Sequence, residues 1–290
     1  MKGCDDLNNQ HKGIIVGALL ADSFALGPHW IYDTSVIAKH FEGMDSLMKP
    51  LAPYHKGKKA GAFTHYGDQT LHLLKTLVAA GKFDIASYKQ AWLSYVGQSA
   101  MYMDHATKES IDLLKGDSLI GSSSDELGGL VRGAALYYLE DYSLTDFISQ
   151  NQLTHNNPLV LTVVEFYYLV IEAILEGLSP SKAIQAVSSK LDNKVIDEAI
   201  KQAQALVDIE ATKAIGSLGQ SCSSKYGLPS SLYLILKYEG DYMGAMKANV
   251  MSGGDSASRG MVVGMVLGAQ LGFEDLPQYL VNQLEESLPI

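Results

Sequence analysis

The chain has 290 residues, 47% of them hydrophobic, and a formal net charge of −10. That is enough apolar material for a substantial core, and it excludes a largely disordered chain. The acidic balance argues against a broad nucleic-acid or anionic-membrane surface, because both need a basic field. An anionic small ligand stays compatible where helix N-termini or a metal ion neutralise it locally.

Two cysteines, Cys4 and Cys222, imply no disulfide framework and fit a reducing compartment. The N-terminal segment carries Asp5 and Asp6 and lacks a basic cluster, unlike a secretory leader. No apolar run is expected to span a bilayer: Gly13–Ala21 is broken by Asp22, and Met261–Gly272 falls well short of the ~20 residues required. The expectation is a cytoplasmic protein.

Taken in order, the elements are helical. Lys12–Ala25 carries an apolar set at Ile14, Ile15, Ala18, Leu19 and Ala25, with a four-spaced row of small residues at Gly13, Gly17, Ala21 and Ala25. Asp22 interrupts this apolar helix, so its carboxylate needs a partner, a metal or a shifted pKa. The segment from Gly27 to Thr64 holds Pro28, Pro50, Pro53 and the basic cluster Lys56-Gly57-Lys58-Lys59. It reads as loop with one short helix near Ser35–His40. Within it, His29-Trp30-Ile31-Tyr32-Asp33 offers side chains that stack on or hydrogen-bond a nucleotide-like ligand.

Tyr66-Gly67-Asp68-Gln69-Thr70 is a glycine turn entering a helix that Gly81 ends. Asp68 is there either a helix cap or a ligand. Helices are predicted at Ile85–Ala100, His105–Leu114, Asp125–Leu139, Pro158–Glu176, Pro180–Leu191, Lys194–Ala214, Asp241–Val250 and Asp275–Leu288. Ser231–Lys237 has strand-like content, but isolated among helices it would lack a partner, so it too reads as helix. Gly128-Gly129 precedes Arg132, a residue suited to a phosphate or to an ordinary ion pair. Thr154-His155 heads a helix, where His155 is a ligand or a structural contact. Cys222 lies in Gly219-Gln220-Ser221-Cys222 with only Lys225 nearby to activate it, which favours a packing role.

The last signal is Ser252-Gly253-Gly254-Asp255-Ser256-Ala257-Ser258 running into a helix with glycines at 260, 264, 268 and 272. Glycine inside a helix costs about 1 kcal/mol relative to alanine, so the aligned row calls for a close backbone neighbour. The small row of Lys12–Ala25 supplies one, which predicts the two helices packed together at the centre. Asp255 and the hydroxyls are either an N-cap or ligands for a hard cation. No repeat or linker divides the chain, so residues 1–290 read as a single all-α domain.

In this order the motifs resemble the ADP-ribosylglycohydrolase family, which includes the dinitrogenase-reductase-activating glycohydrolases, and within it the J1-crystallin-like branch. The matching pieces are Gly17 to Ala25, Tyr66 to Gln69, Gly128 to Arg132, Thr154-His155 with Pro158, and Gly253 to Ser258. His29 to Asp33, Gly219 to Cys222 and Gly254 to Gly260 point to the branch. The resemblance implies a compact multi-helix domain with a pair of divalent cations, Mg²⁺ or Mn²⁺, at its centre. It also implies ADP-ribose or an ADP-ribosylated protein as partner, and hydrolysis of the ribosyl glycosidic bond.

The departures from the family pattern are specific. Gly67 and Ala257 stand where the family has carboxylates, and His29 stands where many relatives carry Glu. One ion or none is therefore expected rather than two. On the resemblance, the metal residues are Asp22, Asp68, Asp255 and Ser258, and the catalytic ones Asp68, Asp22 and His29. Substrate contacts fall to Arg132, His155, Gly128, Gly129, Ser123, Tyr66, Trp30 and Gly254. The alternative is a non-catalytic ADP-ribose-like ligand binder, or a crystallin-like structural protein.

Overall fold

A computed structural model describes residues 7–290; Cys4, Asp5 and Asp6, and what the sequence implies of them, lie outside the described residues. Two helices form its axis. α1 (Asn9–Ala25) is capped by Asn8, and α14 (Ser256–Leu271) by Asp255. They run antiparallel, Gly13 opposite Gly268 and Gly17 opposite Gly264. A Cβ on Gly264 would sit 2.8 Å from the Gly17 carbonyl carbon, and one on Gly268 would sit 2.7 Å from that of Gly13. The predicted pairing of the two small-residue rows is therefore the central contact, and it exists because both backbones lack side chains there. The pairing brings Asp22, near the end of α1, and Asp255, at the start of α14, to one end of the axis.

Around the axis lie α2 (Thr34–Phe41), α3 (His65–Ala80), α4 (Ile85–Gln98), α5 (His105–Leu113) and the short α6 (Gly128–Arg132). Then come α7 (Leu144–Gln152), α8 (Pro158–Leu175), α9 (Pro180–Leu191), α10 (Lys194–Ala205), α11 (Ala211–Leu218), α12 (Ser224–Lys237), α13 (Tyr242–Met251) and α15 (Gln278–Val281). α14 touches α6, α8, α12 and α13 as well as α1, and α3 packs on α6 and on the 3₁₀ turn Gly133–Tyr138. No strand is present among the described residues.

Several boundaries differ from expectation. α3 begins at His65 with Thr64 as cap, so Tyr66, Gly67 and Asp68 lie in its first turn rather than in a preceding loop. Asp125–Leu139 is not one helix: Asp125–Leu127 bridges to Ser223–Ser224 before α6 and the 3₁₀ turn. Lys194–Ala214 is two helices, because the Glu210 carboxylate caps the amides of Thr212 and Lys213 and restarts the chain. α7 was not foreseen, although Ser143 and Asp146 form a capping box at its start. Of Asp275–Leu288 only α15 is helical; the backbone beyond it pairs instead, Glu285 N donating to Gly61 O at 2.9 Å. Contrary to the sequence expectation, α8 is long and apolar enough by length and composition to cross a membrane, with mean hydropathy 1.9. Its Val160, Val163, Val164, Phe166 and Tyr167 are buried, and it packs on α7, α9, α12 and α14.

Candidate functional site

At the Asp22–Asp255 end of the axis the chain leaves α1 through a turn that fixes His29 and Trp30. His29 N donates to Ala25 O at 2.9 Å; Trp30 N donates to Gly254 O at 3.0 Å and Gly254 N to Ile31 O at 2.8 Å. Trp30 is held at φ 62°, a left-handed conformation that is a true outlier for so bulky a residue. Gly253 and Gly254 have φ of 72° and 73°, and a Cβ on Gly254 would meet the Gln220 backbone. Only glycine serves there. Buried Arg259 holds the loop through Asn249 Oδ1 (2.7 Å) and Gly253 O (2.8 Å).

The loop delivers Asp255. Its Oδ2 accepts from Tyr66 Oη (2.9 Å) and Ser258 Oγ (2.8 Å), and its Oδ1 lies 3.6 Å from His29 Nδ1. The side chain also caps α14, so the two readings of Asp255 are compatible. Burial raises its pKa, against the lowering effect of its hydrogen bonds to Ser258 and Tyr66. Asp22 ties α1 to the start of α3, accepting from Thr64 N at 2.7 Å and from Thr64 Oγ1 at 2.5 Å. Burial pushes its pKa up to about 6, with the Thr64 bonds opposing. Asp68 points elsewhere: its Oδ2 is 2.5 Å from Lys58 Nζ.

These residues do not fit a pair of hard cations. Such ions need several anionic oxygens around a shared space. Here an ammonium holds Asp68, Thr64 occupies both oxygens of Asp22, and positions 67 and 257 supply none. The space at Gly67 is itself filled, since a Cβ there would sit 2.8 Å from Asp22 Cγ. Two other groups of possible ligands do converge: His29–His55–His65, and Asp104–Glu126–His155. In each, one ligand atom per residue lies within 4.8 Å of the others, and neither contains Asp22, Asp68 or Asp255.

Around them is an aromatic wall. The Trp30 ring stacks on His29 at 4.4 Å and meets Tyr54 and Tyr102 edge-on at 4.8 and 5.2 Å; Tyr66 lies against His65 at 3.8 Å. Trp30 and Tyr102 are half-buried and Tyr54 is exposed, so the wall reaches solvent there. Asp104 caps α5 and sits 3.4 Å from His65 Nε2. Burial would raise its pKa, but His65, His155 and Thr107 prevail and hold its carboxyl well below the usual range. Glu126 goes the other way: burial raises it, only partly opposed by the Cys222 thiol, which donates to Oε1 at 3.0 Å. Burial and the charges of Asp255 and Glu126 keep that thiol protonated, in line with the unreactive reading of Cys222. Burial lowers His155 to about 4.

Other expected substrate contacts belong to the scaffold. Buried Arg132 donates to Gln150 Oε1 (2.9 Å), Gln69 Oε1 (3.2 Å) and Thr154 Oγ1 (2.9 Å), so its guanidinium is consumed inside the protein rather than offered to a pyrophosphate. Gly128 and Gly129 are buried; a Cβ on the first would meet Tyr66, and one on the second would meet Asn151 and His155. They permit close packing beneath the site and do not form an open phosphate loop. Ser123 is exposed, its carbonyl accepting from Asn157 Nδ2. His55, His65, Asp104, Glu126, Tyr54 and Tyr102 were not foreseen. His65 adjoins Tyr66 and was within reach of the motif, whereas the others lie in segments whose only local signal is capping or loop content.

Comparison with known proteins identifies the fold and the family. Crystallin J1A of Tripedalia cystophora is 23% identical over 96% of this chain and 93% of its own length. Crystallin J1B of the same animal is 22% identical with the same coverage. A solved structure titled "ADP-ribosylglycohydrolase-related protein complex" superposes with a TM-score of 0.73 at 18% identity, over 96% of this chain and 92% of that one, which shows the shared fold. The family pattern described as ADP-ribosylglycohydrolase matches residues 4–289, and the chain belongs to that family.

Proposed function

We propose that the chain hydrolyses the glycosidic bond of an ADP-ribosyl or related nucleotide-sugar substrate, using protein carboxyl groups rather than a pair of hard cations. One observation carries this reading. Asp104 and Glu126 offer oxygens within 4.8 Å of each other and of His155, while their surroundings push their pKa values in opposite directions. Carboxyl groups driven apart in this way divide into an acid and an anion, which is the division glycoside hydrolysis needs. Glu126 keeps its proton to higher pH and donates it to the leaving-group oxygen or nitrogen. Asp104 stays ionised and stabilises the positive charge that develops at the anomeric carbon, with Asp255 as a further nearby carboxyl group; a water then attacks that carbon and gives its proton to the Glu126 carboxylate, which restores the acid. Trp30, Tyr54 and Tyr102 provide faces on which a sugar or base stacks.

The test is release of ADP-ribose from Arg-linked and Ser-linked ADP-ribosyl peptides, with and without chelator. Wild-type turnover should fall by about 100-fold or more in Glu126→Gln, the loss expected for a general acid, and by a comparable factor in Asp104→Asn, which removes the stabilising anion. Unchanged kcat in Glu126→Gln would remove the assignment. A second reading, a non-catalytic binder or crystallin-like protein, is favoured by the Lys58–Asp68 ion pair that closes off a family-type metal ligand. Its signature is calorimetric binding of ADP-ribose by a wild type that turns nothing over.

A further inference from the structure

His29 leaves α1, His55 ends the 3₁₀ turn Pro53–His55, and His65 opens α3. These three separate segments bring their imidazoles into one buried cluster, with exposures of 1%, 4% and 0%. Ring centroids are 5.5 Å apart for His29–His55 and for His55–His65. Within the cluster His29 Nε2, His65 Nδ1 and both nitrogens of His55 have no hydrogen-bond partner, whereas His65 Nε2 faces Asp104. A buried polar atom left unpaired costs about 1–3 kcal/mol, so four such atoms in one place call for something that binds them.

From this geometry we infer that His29, His55 and His65 form a three-imidazole site for a borderline dication of the Zn²⁺ class, a site separate from any carboxylate-held Mg²⁺ or Mn²⁺. Imidazole suits Zn²⁺ and its neighbours, whereas Mg²⁺ takes oxygen. At His65 the far nitrogen is already placed as such a site needs, Asp104 Oδ2 lying 3.4 Å from Nε2. His29 Nδ1 accepts from the Ala257 amide at 3.4 Å with Asp255 Oδ1 at 3.6 Å, so ligation through Nε2 moves the ring proton to Nδ1 and turns it toward Asp255. Metal-bound histidines commonly donate their second N–H to a carboxylate, which fixes the tautomer. That leaves His29 Nε2 and His65 Nδ1 as the ligating atoms, beside either nitrogen of His55. One nitrogen from each ring lies within 4.8 Å of the others, and these must close to about 3.4 Å for tetrahedral bonds of ~2.0–2.1 Å.

The surrounding charge agrees. Asp104 Oδ2 lies 3.4 Å from His65 Nε2 and Asp255 Oδ1 lies 3.6 Å from His29 Nδ1, so two buried carboxylates back the cluster and favour a cation within it. Three protein ligands also leave a coordination position for water or a ligand atom. The loss of carboxylates at positions 67 and 257 thus accompanies a change from oxygen to nitrogen donors in the same part of the fold.

The experiment uses the full chain stripped of metal and titrated with Zn²⁺ against a chromophoric chelator, with Co²⁺ as the spectroscopic probe. We expect one equivalent bound and the intense visible absorption of a tetrahedral Co²⁺ site. Excess Mg²⁺ should not displace either ion. His55→Ala, on a surface turn, should lower affinity by about 100-fold or more while the circular dichroism is unchanged, and Asp104→Asn by about 10–100-fold. Absence of tight binding by the wild type would overturn the inference. So would equal affinity in His55→Ala, which would mark adventitious binding at other histidines. These readouts need no substrate, so they stand or fall separately from the glycosidase reading.

Discussion

Restoring the family's carboxylate at position 67 tests whether the hard-metal cradle is closed in this chain. Gly67 is in the first turn of α3. On local grounds Gly67→Asp should help, since it removes a helical glycine and places an acid near the helix N-terminus, together worth about 1 kcal/mol. The surroundings oppose it. The new Cβ would lie 2.8 Å from both Asp22 Cγ and Phe63 Cβ, and closer still to Asp22 Oδ2. Overpacking of that kind costs about 1–3 kcal/mol. A second buried carboxylate adds repulsion of about 4 kcal/mol at 4 Å in an effective dielectric of 20, much of it relieved if Asp22, already raised to about 6, takes up a proton. The expected net loss is about 3 kcal/mol, read as a lower urea midpoint at constant slope. Gly67→Ala should show the steric part alone. Excess Mg²⁺ should recover none of the loss, because Asp68 remains on Lys58 and Asp22 on Thr64. A Gly67→Asp protein as stable as wild type, or one that Mg²⁺ stabilises while leaving wild type unmoved, would refute this account of the site.

Three further outcomes follow from the same packing and electrostatics. Gly264→Ala should lower stability by about 2 kcal/mol in denaturant titration, overpacking against Gly17 outweighing helix propensity; Gly216→Ala, whose Cβ meets nothing within 4 Å, should raise it by about 0.5–1 kcal/mol. Asp22 has its folded pKa raised from 3.8 to about 6, so its contribution is fully present below pH 3.8 and is lost as pH rises through 6. Wild type should therefore lose about 2 kcal/mol relative to Asp22→Asn between those values and about 3 kcal/mol over the whole titration, and a parallel pair of stability curves would contradict the burial argument. Trp30→Gly should be more stable than Trp30→Ala by about 1 kcal/mol in the same titration, because only glycine accepts φ 62° without strain, while both should lose the aromatic wall and any ligand that stacks on it.

The axis of the fold was legible because its cause is local and repeated. A row of glycines at four-residue spacing has few uses other than close approach, and a second small-residue row was present to receive it. Asp22 was legible for a related reason: a carboxylate in an apolar helix must be answered, and Thr64 answers it. Legibility failed where a side chain's meaning depends on distant partners. Arg132 looked available for phosphate because Gln69, Gln150 and Thr154, which occupy it, lie 18 or more residues away in the sequence. α7 went unnoticed because its apolar signal is weak, although its capping box stood in the sequence.

The two departures from the family pattern show the same limit most clearly. Gly67 and Ala257 read in sequence as missing ligands, hence as gaps in a site. In three dimensions Gly67 is no gap, because Asp22 fills the space there, and at Ala257 the backbone amide donates to His29 Nδ1 at 3.4 Å. His29 itself stands where many relatives are expected to carry an acid. The packing therefore offers no set of oxygen ligands for a hard cation at Gly67. Beside it stands the imidazole cluster, backed by Asp104 and Asp255, whose donor atoms would suit a different metal. A count of missing carboxylates predicts a weaker version of the family's site, whereas the packing predicts a different one, and the response to Zn²⁺ against Mg²⁺ separates the two.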